Sequence, residues 1–234
     1  MIKKIYLPPQ VSDASQILHL KLWEGTLFDY SNNNHPGTLN GTLPTYQFPG
    51  VDFPGTDEYI SVEDAAAFTP ANIAGGTPLS ISAWVNMDDA TDFMIAVKGV
   101  YNTDGEWQFH VNDSDQLSFM IYDESVDNCY IKRRSNATTL TAYQGKWVHV
   151  AGTYDGGTTY TGMAVYLNGV DIGDAGNNLG VFAVAEDLAG KVRIGEYDGS
   201  YADGRIDDVR IFTTEQTAVQ VRNLYELTRW RYGV

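Results

Sequence analysis

The chain of 234 residues has twice as many acidic as basic side chains, 30 against 15, which gives a formal charge of −15 at pH 7. A nucleic-acid backbone and an anionic membrane surface would both repel a chain of this charge, so neither is predicted as a partner. No stretch approaches the roughly 18 consecutive apolar residues that a membrane-spanning helix needs, so no membrane insertion is predicted.

The cysteine content and the N-terminus leave the localisation open. Cys129 is the only cysteine, so no disulfide within the chain is expected. The first residues, MIKKIYLPPQVSDASQ, contain Pro8 and Pro9 where a signal peptide needs an apolar run. We interpret residues 1–16 as an N-terminal extension of the mature chain. The compartment stays unknown, with an extracellular or virion-associated place as one interpretation.

Strands are predicted along almost the whole chain. The segment ILHLKLW places Leu18, Leu20 and Leu22 on one face, which is the period-two alternation of a half-buried strand. The same alternation recurs in LSISAWV, EWQFHVN, QLSFMIYD and KWVHVAGTYDG, and FMIAVKG, KVRIGEY and GRIDDVRIF add further strands. In VYLNGVDIG, the pair Asn168-Gly169 is a strong hairpin signal. The pattern predicts an all-β fold, an antiparallel β-sandwich or jelly roll.

The end of the chain has a different pattern. Thr213 with Gln216 three residues later has the spacing of a capping box. Val219, Leu224 and Leu227 then follow at roughly helical spacing. We therefore predict a short C-terminal helix on or beside the sandwich, and a tail at residues 228–234.

The order of motifs resembles that of the LamG-like (laminin G-like, pentraxin-like) jelly-roll domains of the concanavalin A-like lectin/glucanase superfamily. The motifs are LWEGTLFDYSNNNHPGTLNG, VDFPGTDEYISV, LSISAWV, GKWVHVAGTYDGG, VYLNGVDIG, VRIGEYDG and GRIDDVRIF. Each is weak alone, but together they follow the family's order from about Ile17 to Tyr225. The resemblance implies one concanavalin A-like jelly-roll domain, which we place at residues 17–227.

The resemblance also implies a structural calcium ion, held by an aspartate on the last strand and by groups near the first. On this chain the late aspartate is Asp207, and the early ligands would be Asp29 and Asn32 in DYSNNN, with Asp57 in reserve. Calcium takes six to eight oxygen ligands, which carboxylates and amides supply. The family commonly has glycine where Asn32 or its neighbour stands, so the exact ligand is left open.

Two other interpretations of these acidic and amide residues remain open. Asp207 and its neighbour Asp208 would discourage edge-to-edge pairing if they lay at the edge of a sheet. The Asp and Asn side chains of DYSNNN would cap their own backbone in a turn.

Two loops combine aromatic and polar residues as sugar-binding sites do. GEYDGSYADG contains Tyr197, Asp198 and Tyr201, which would suit a neutral glycan. DNCYIKRRSN contains Tyr130 with the basic patch Lys132, Arg133 and Arg134, of which Arg133 is the predicted contact, and it would suit a uronate or a sulfate. The alternative is that both are ordinary hairpin loops.

Catalysis is not predicted. No Glu-x-Asp-x-x-Glu strand is present for a retaining glycoside hydrolase. Gln108 and His110 have the spacing of the Gln-x-His strand of polysaccharide lyases on this fold, but the tyrosine-bearing motif of those enzymes is not recognisable. The prediction is a calcium-stabilised, lectin-like carbohydrate-binding module whose partner is a glycan or polysaccharide. The first alternative is a structural or adhesion domain that binds a protein partner in a virion or cell-surface assembly. The second, less favoured alternative is a polysaccharide lyase or glycoside hydrolase.

Overall fold

A computed structural model describes residues 13–22, 25–42, 46–70, 76–126 and 129–234. Strands in the first half are β1 Gln16–Leu20, β2 Gly37–Asn40, β3 Val51–Pro54, β4 Tyr59–Val62, β5 Leu79–Met87, β6 Met94–Lys98, β7 Trp107–Val111, β8 Leu117–Tyr122 and β9 Tyr130–Arg134. Those in the second half are β10 Val148–Tyr154, β11 Met163–Leu167, β12 Val170–Asp171, β13 Ala175–Leu179, β14 Val192–Ile194, β15 Glu196–Tyr197, β16 Ser200–Tyr201 and β17 Asp203–Phe212. One α-helix, α1 Ala218–Thr228, lies in these residues, with 3-10 turns at Ala66–Phe68, Thr141–Tyr143, Tyr160–Gly162 and Arg229–Arg231.

Two antiparallel sheets form the two layers of a sandwich. The seven-stranded sheet has the order β1-β17-β5-β10-β11-β12, and β3 also pairs with β17. The eight-stranded sheet has the order β13-β9-β8-β7-β6-β14-β4-β2, and β15 and β16 form a separate hairpin. One apolar core lies between the sheets; Phe109 and Phe119 of one sheet, for example, lie against Gly152 of the other. The predicted all-β sandwich is confirmed.

In most strands, the alternating apolar residues face the core, as expected. Leu18 and Leu20 of β1 and Ile81 and Val85 of β5 are fully buried in the core. On β5 the opposite face is buried as well, since Trp84 is 0% exposed. The expectation of a half-buried strand fails there because the C-terminal segment covers this face. It also fails on β7 of the other sheet, where all five residues are buried.

Local turn chemistry is confirmed at the hairpin between β11 and β12. Asn168 has φ 51° and Gly169 has φ 75°, both in the left-handed region. Two consecutive residues of this kind match the twist of the strands that they join. The Asn168 side chain also accepts a hydrogen bond of 2.9 Å from the His149 backbone N–H, so the turn is tied to β10.

The C-terminal helix is confirmed, but its predicted N-terminus at Thr213 is wrong. The Thr213 backbone N–H donates to the Ser15 carbonyl, which extends the pairing of β1 with β17. The helix begins after Thr217, whose capping box is completed by Gln220. Its buried apolar residue is Val221. The side chains of the predicted apolar positions Val219 and Leu227 are 69% and 63% exposed.

The C-terminal segment packs on the outer face of the seven-stranded sheet. Trp84 Nε1 donates a hydrogen bond of 2.9 Å to Thr228 Oγ1, and the Trp84 and Tyr232 rings stack at 4.0 Å. Trp147 contacts the same Tyr232 ring at 4.9 Å. Residues beyond Leu227 therefore contact the sheet; the predicted domain boundaries stay a prediction. Within the described residues, no helix has the length and apolarity to cross a membrane.

Candidate functional site

The adjacent acids Asp207 and Asp208 lie at a bulge in β17. Asp207 pairs with Trp84 of β5, and Arg210 pairs with Ser82, so three steps on β17 match two on β5. Asp208 has φ 50°, the left-handed conformation that short polar side chains tolerate. The extra residue places both carboxylates on the outer face of the sheet, below the C-terminal segment. β17 is an interior strand, flanked by β1 and β5, so the sheet-edge interpretation is wrong.

Asp208 is the centre of a buried ion-pair network. Its carboxylate contacts His19 Nε2 at 2.6 Å, Arg210 Nη2 at 3.0 Å and Arg231 Nη1 at 3.9 Å. Burial alone would raise the pKa of Asp208, but the Arg210 guanidinium and the hydrogen bond with His19 outweigh it and hold this pKa well below its usual range. Asp208 is therefore ionised in the folded protein.

Asp207 has a different environment. Its Oδ2 accepts a hydrogen bond of 2.7 Å from the Tyr232 hydroxyl, and its Oδ1 accepts one of 2.7 Å from the Asp208 backbone N–H. Burial, together with the negative charge of Asp208, raises the pKa of Asp207 to about 7. The two acids thus hold the end of the chain against the sheet.

Asp29, the predicted early calcium ligand, closes its own loop. Its Oδ1 accepts hydrogen bonds from the backbone N–H groups of His19 at 3.0 Å and Ser31 at 2.9 Å. Its Oδ2 accepts from the His35 backbone N–H at 3.0 Å and the Ser31 hydroxyl at 2.8 Å. A carboxylate has about four lone-pair positions, so an ion at Asp29 would have to displace some of these donors. The expectation that this side chain caps its own turn is confirmed.

The other predicted metal ligands lie on different segments, Asn32 in the same loop as Asp29, Asp57 between β3 and β4, and Asp207 on β17. Asn32 is exposed and has φ 71°, and Asp57 is exposed and accepts a hydrogen bond of 3.2 Å from the Thr42 backbone N–H. His19 connects the two ends of the predicted set, since its backbone N–H donates to Asp29 and its ring contacts the neighbour of Asp207. Calcium binding by Asp29, Asn32 and Asp207 stays a prediction.

A second acidic group, which the sequence did not indicate, lies at the end of β6. Among the residues that the structure describes, one group of at least three His, Cys, Asp or Glu side chains has ligand atoms close enough together to hold one metal ion. It consists of Asp64, Glu106 and Asp187, whose carboxylate oxygens lie within 4.8 Å of one another. Lys98, fully buried, donates to Glu106 Oε1 at 2.5 Å and to Asp64 Oδ1 at 2.7 Å. It also donates to the carbonyl oxygens of Leu188 and Gly190. The lysine ammonium therefore offsets the charges of Glu106 and Asp64, although burial still raises the pKa of Glu106 to about 7.

The outer face of the eight-stranded sheet carries the candidate binding site. Alternation directs one set of side chains from β7, β8 and β9 into the core and the other set outward. α1 packs on the opposite sheet, where its Val221 contacts Ala151 and Tyr166. The outward set on these three strands consists of Gln108, His110, Ser118, Met120, Tyr122, Tyr130, Lys132 and Arg134.

Four tyrosines meet at one end of this face. Tyr101 and Tyr122 stack at 4.8 Å, and Tyr130 packs edge-on against them at 6.4 and 6.3 Å. The Tyr197 hydroxyl accepts a hydrogen bond of 3.3 Å from the Tyr101 backbone N–H. Burial raises the pKa of the Tyr122 and Tyr197 phenols. We call these four residues, Tyr101, Tyr122, Tyr130 and Tyr197, the tyrosine cluster.

The cluster has polar groups within reach of a ligand. The Tyr122 hydroxyl donates a hydrogen bond of 2.7 Å to Gln108 Oε1, and Lys132 Nζ lies 5.1 Å from the centre of the Tyr130 ring. Tyr101, Tyr130 and Tyr197 are half-buried. Ring faces with nearby amide, hydroxyl and ammonium groups are the combination that binds sugars.

The structure brings together two loops that the sequence treated as alternatives. Tyr130 of one and Tyr197 of the other both belong to the tyrosine cluster. Asp198 lies in the turn between β15 and β16, exposed and with φ 48°, and Tyr201 pairs with Glu196 across that hairpin. Of the predicted site residues, Tyr130 and Tyr197 thus belong to one cluster, and Asp198 and Tyr201 lie in the hairpin that carries Tyr197.

Arg133 is separated from Tyr130 by the alternation of β9. It pairs with Phe119 of the core-facing set, and its Nη2 donates a hydrogen bond of 2.7 Å to the Gly173 carbonyl. Lys132 and Arg134 lie on the same face as Tyr130 instead. The period-two alternation of YIKRR would have separated these two residues from Arg133 in the sequence. Tyr101 lies in a turn and has no comparable sequence signal.

Comparisons with known proteins agree with this fold. A family model described as Concanavalin A-like lectin/glucanases superfamily matches residues 54–222. The receptor binding domain of botulinum neurotoxin C/D mosaic serotype superposes with a TM-score of 0.66 and 17% identity, over 92% of this chain and 52% of that chain. The chain thus spans about half the length of the neurotoxin binding domains that it matches. The search of curated proteins finds no match.

Two further similar structures contain sugars. Domain 4 of AbnA, a GH43 extracellular arabinanase from Geobacillus stearothermophilus, was solved in complex with arabinotriose and superposes with a TM-score of 0.62 and 18% identity, over 90% of this chain and 98% of that domain. The binding domain of botulinum neurotoxin DC, solved in complex with SialylT, superposes with a TM-score of 0.65 and 18% identity, over 92% of this chain and 52% of that chain. Identities this low show a shared fold.

Proposed function

The chain belongs to the concanavalin A-like lectin/glucanases superfamily, and on that premise we propose that it is a carbohydrate-binding module without catalytic activity. The glycan lies on the outer face of the eight-stranded sheet, against the tyrosine cluster. The observation that carries this proposal is the convergence of Tyr101, Tyr122, Tyr130 and Tyr197 on this face, away from the sheet covered by α1.

Physical chemistry supports the choice of ligand. Stacking of a sugar ring on a half-buried phenol buries apolar surface at a small cost in side-chain entropy, and the hydroxyl groups of the sugar replace water on nearby polar groups. Here the polar groups are the Tyr197 hydroxyl, the Gln108 amide and the Lys132 ammonium. The sugar complexes of AbnA domain 4 and of the neurotoxin binding domain support glycan binding on this fold.

Calcium stabilisation remains part of the proposal as the sequence predicted it. The proposed ligands are Asp29, Asn32 and Asp207, and the ion would bind on the side of the sandwich opposite the tyrosine cluster. It would stabilise the domain without contacting the glycan.

The test is a titration of the purified chain with a broad panel of neutral, uronic and sulfated oligosaccharides, in calcium and in chelator. We expect a saturable interaction that Tyr130→Ala weakens at least tenfold, because a lost stacking contact is worth about 1.5 kcal/mol. The matched control is Tyr46→Ala, since Tyr46 is exposed and pairs with Val51 beside the other sheet. Absence of binding to every glycan by folded protein would contradict the proposal and favour a structural or adhesion domain with a protein partner.

One observation keeps a lyase as the second candidate. Gln108 and His110 lie on the same face as Tyr122, which is the combination that the lyase alternative requires. However, Gln108 Oε1 already accepts the Tyr122 hydroxyl, and only 7% of His110 is exposed. Incubation of the protein with polyuronates should produce no unsaturated sugar ends. Cleavage that His110→Ala abolishes would contradict the binding-only proposal.

A further inference from the structure

The five strands from β13 to β6 are free of acidic residues, although the chain as a whole has 30. Lys132 and Arg134 project from the outer face of β9, beside the uncharged outward residues of β7 and β8. Carboxylates in turns adjoin the face: Asp113 follows β7 near His110, and Glu124 follows β8 near Tyr122 and Tyr197. The outward charges on β7, β8 and β9 themselves are therefore the two basic residues Lys132 and Arg134.

Three side chains form a row across this face. His110 of β7 pairs with Ser118 of β8, and Ser118 pairs with Arg134 of β9. Within the described residues, His110 Nδ1, Ser118 Oγ and Arg134 Nε are buried and have no hydrogen-bond partner. Ser118 is 0% exposed and His110 is 7% exposed. Buried polar atoms are usually paired. Other described atoms, among them Arg133 Nε, Ser82 Oγ and His149 Nδ1, also have no partner, so what marks the row is that its three residues are cross-strand neighbours on the proposed binding face.

We propose that this row, His110, Ser118 and Arg134, binds a negatively charged group of the glycan, a carboxylate or a sulfate. The proposal rests on the proposed function, because it names the class of sugar that the same face binds. Arg134 supplies a positive charge and an N–H donor, and Ser118 supplies a hydroxyl donor. Arg134 is half-buried and is the member of the row that solvent reaches, so a ligand would contact its guanidinium first, and rotation of this side chain would uncover Ser118.

The protonation state of His110 is compatible with this role. Burial, with the charge of Lys132, lowers the pKa of His110 to about 3, so the ring is neutral at physiological pH and has one N–H donor. The positive charges of the site therefore come from Arg134 and Lys132. The negative charge of Asp113 raises the pKa of His110, but Asp113 is exposed in the turn after β7.

The spacing predicts an oligosaccharide rather than a single sugar. Tyr130 and Arg134 are four residues apart on β9, which corresponds to about 13 Å along an extended strand. One sugar ring cannot contact both the tyrosine cluster and the row. The ligand therefore has a ring at Tyr130 and a charged group on another unit of the same chain, with Lys132 between them.

The experiment compares charged and uncharged forms of the same oligosaccharides. The carboxylate probe is oligogalacturonate, with its carboxyl-reduced form as the neutral control, and the sulfate probe is a sulfated dextran oligosaccharide, with dextran as its control. Variants are Arg134→Gln and Ser118→Ala. Arg133→Gln is the matched control, because it removes the same charge from the opposite face of the same strand. Thermal melting of each variant checks that it is folded.

We expect one charged probe to bind more tightly than its neutral control, with an affinity that falls as salt rises. Arg134→Gln should weaken that binding tenfold or more, the effect of losing a hydrogen bond to a charged group, and Arg133→Gln should change it less than threefold. Preference for carboxylate over sulfate identifies the group. Equal affinity for charged and neutral forms, with loss of binding only in Tyr130→Ala, would overturn this inference and leave the proposed function intact. No binding of any probe or panel sugar would overturn both.

Discussion

The Tyr232 hydroxyl donates a hydrogen bond of 2.7 Å to Asp207 Oδ2 and so joins the end of the chain to the bulge of β17. The same ring stacks on Trp84, whose Nε1 donates to Thr228. Two aromatic residues and one carboxylate thus fasten the C-terminal segment over the seven-stranded sheet. The cover buries that face. On the outer face of the other sheet, Met120, Tyr130, Lys132 and Arg134 are half-buried and form the proposed surface for a ligand.

Loss of this contact should destabilise the whole domain. Tyr232→Ala is expected to lower the free energy of unfolding by about 3–5 kcal/mol, as truncation of a buried aromatic does. Tyr232→Phe removes only the hydrogen bond and should cost about 1–2 kcal/mol. Urea unfolding measures both. Trp230→Ala is the control, since this side chain is 67% exposed, and should stay within about 0.5 kcal/mol of wild type. Equal losses of unfolding free energy in Tyr232→Ala and Trp230→Ala would contradict a stabilising role of the contact between Tyr232 and the seven-stranded sheet.

Asp207 should make stability depend on pH. Because the pKa of Asp207 is raised from 3.8 to about 7 by folding, the folded state retains a proton that the unfolded state has lost. This contribution to stability is fully present below about pH 4 and is lost as pH rises through about 7. Asp207→Asn should flatten this part of the curve of unfolding free energy against pH. An unchanged slope in the variant would show that another group causes it.

Asp208 should make the stability depend on pH in the acidic range. Its pKa is lowered by folding, so its contribution is present above pH 3.8 and is lost as pH falls toward the folded value. At neutral pH, Asp208→Asn leaves Arg210 and Arg231 without their buried counter-ion and should cost about 3–5 kcal/mol. Chemical denaturation at neutral and acidic pH measures both effects. A variant as stable as wild type at neutral pH would contradict the network.

Removal of Lys98 tests its buried ion pair with Glu106. Lys98→Met leaves the carboxylate of Glu106 without its closest cation and should lower the unfolding free energy by about 3–5 kcal/mol. Lys98→Met with Glu106→Gln removes both charges and should recover much of that loss. Lys191→Met is the matched control, because its ion pair with Glu63 is exposed and worth at most about 1 kcal/mol. Additive losses in the double variant would contradict a direct interaction.

Calcium binding is tested by thermal melting in millimolar calcium and in chelator. If Asp29, Asn32 and Asp207 bind the ion, calcium at a hundred times its dissociation constant should stabilise the domain by about 2.7 kcal/mol. Asp29→Asn and Asp207→Asn should abolish the difference, whereas Asp57→Asn should preserve it. The same melting temperature in both solutions would contradict calcium stabilisation.

Much of the fold could be predicted because alternation and turn chemistry are local. Leu18 and Leu20 faced the core as expected, and Asn168-Gly169 formed the hairpin. The bulge of β17 was also readable, because Ile206 and Val209 are three residues apart whereas Val209 and Ile211 are two apart. An apolar pattern that shifts by one residue indicates an extra residue in the strand.

The candidate site could be predicted only in part, because it depends on the order of strands. Tyr197 meets Tyr101 through the pairing of β14 with β6, a long-range contact that no local pattern encodes. Arg133 was selected from a basic patch in a predicted loop, and the alternation of β9 places Lys132 and Arg134, not Arg133, on the face of Tyr130. The unpaired atoms of His110 and Ser118 depend on packing and have no sequence signal.

The most direct test of the account maps a bound glycan on the protein. Backbone amide chemical shifts are recorded while the tightest-binding oligosaccharide of the panel is added. We predict that the shifted signals belong to β7, β8, β9 and the β15–β16 hairpin, with the largest changes at Tyr122, Tyr130 and Tyr197. Shifts confined to the seven-stranded sheet or to α1 would contradict the assignment of the binding face.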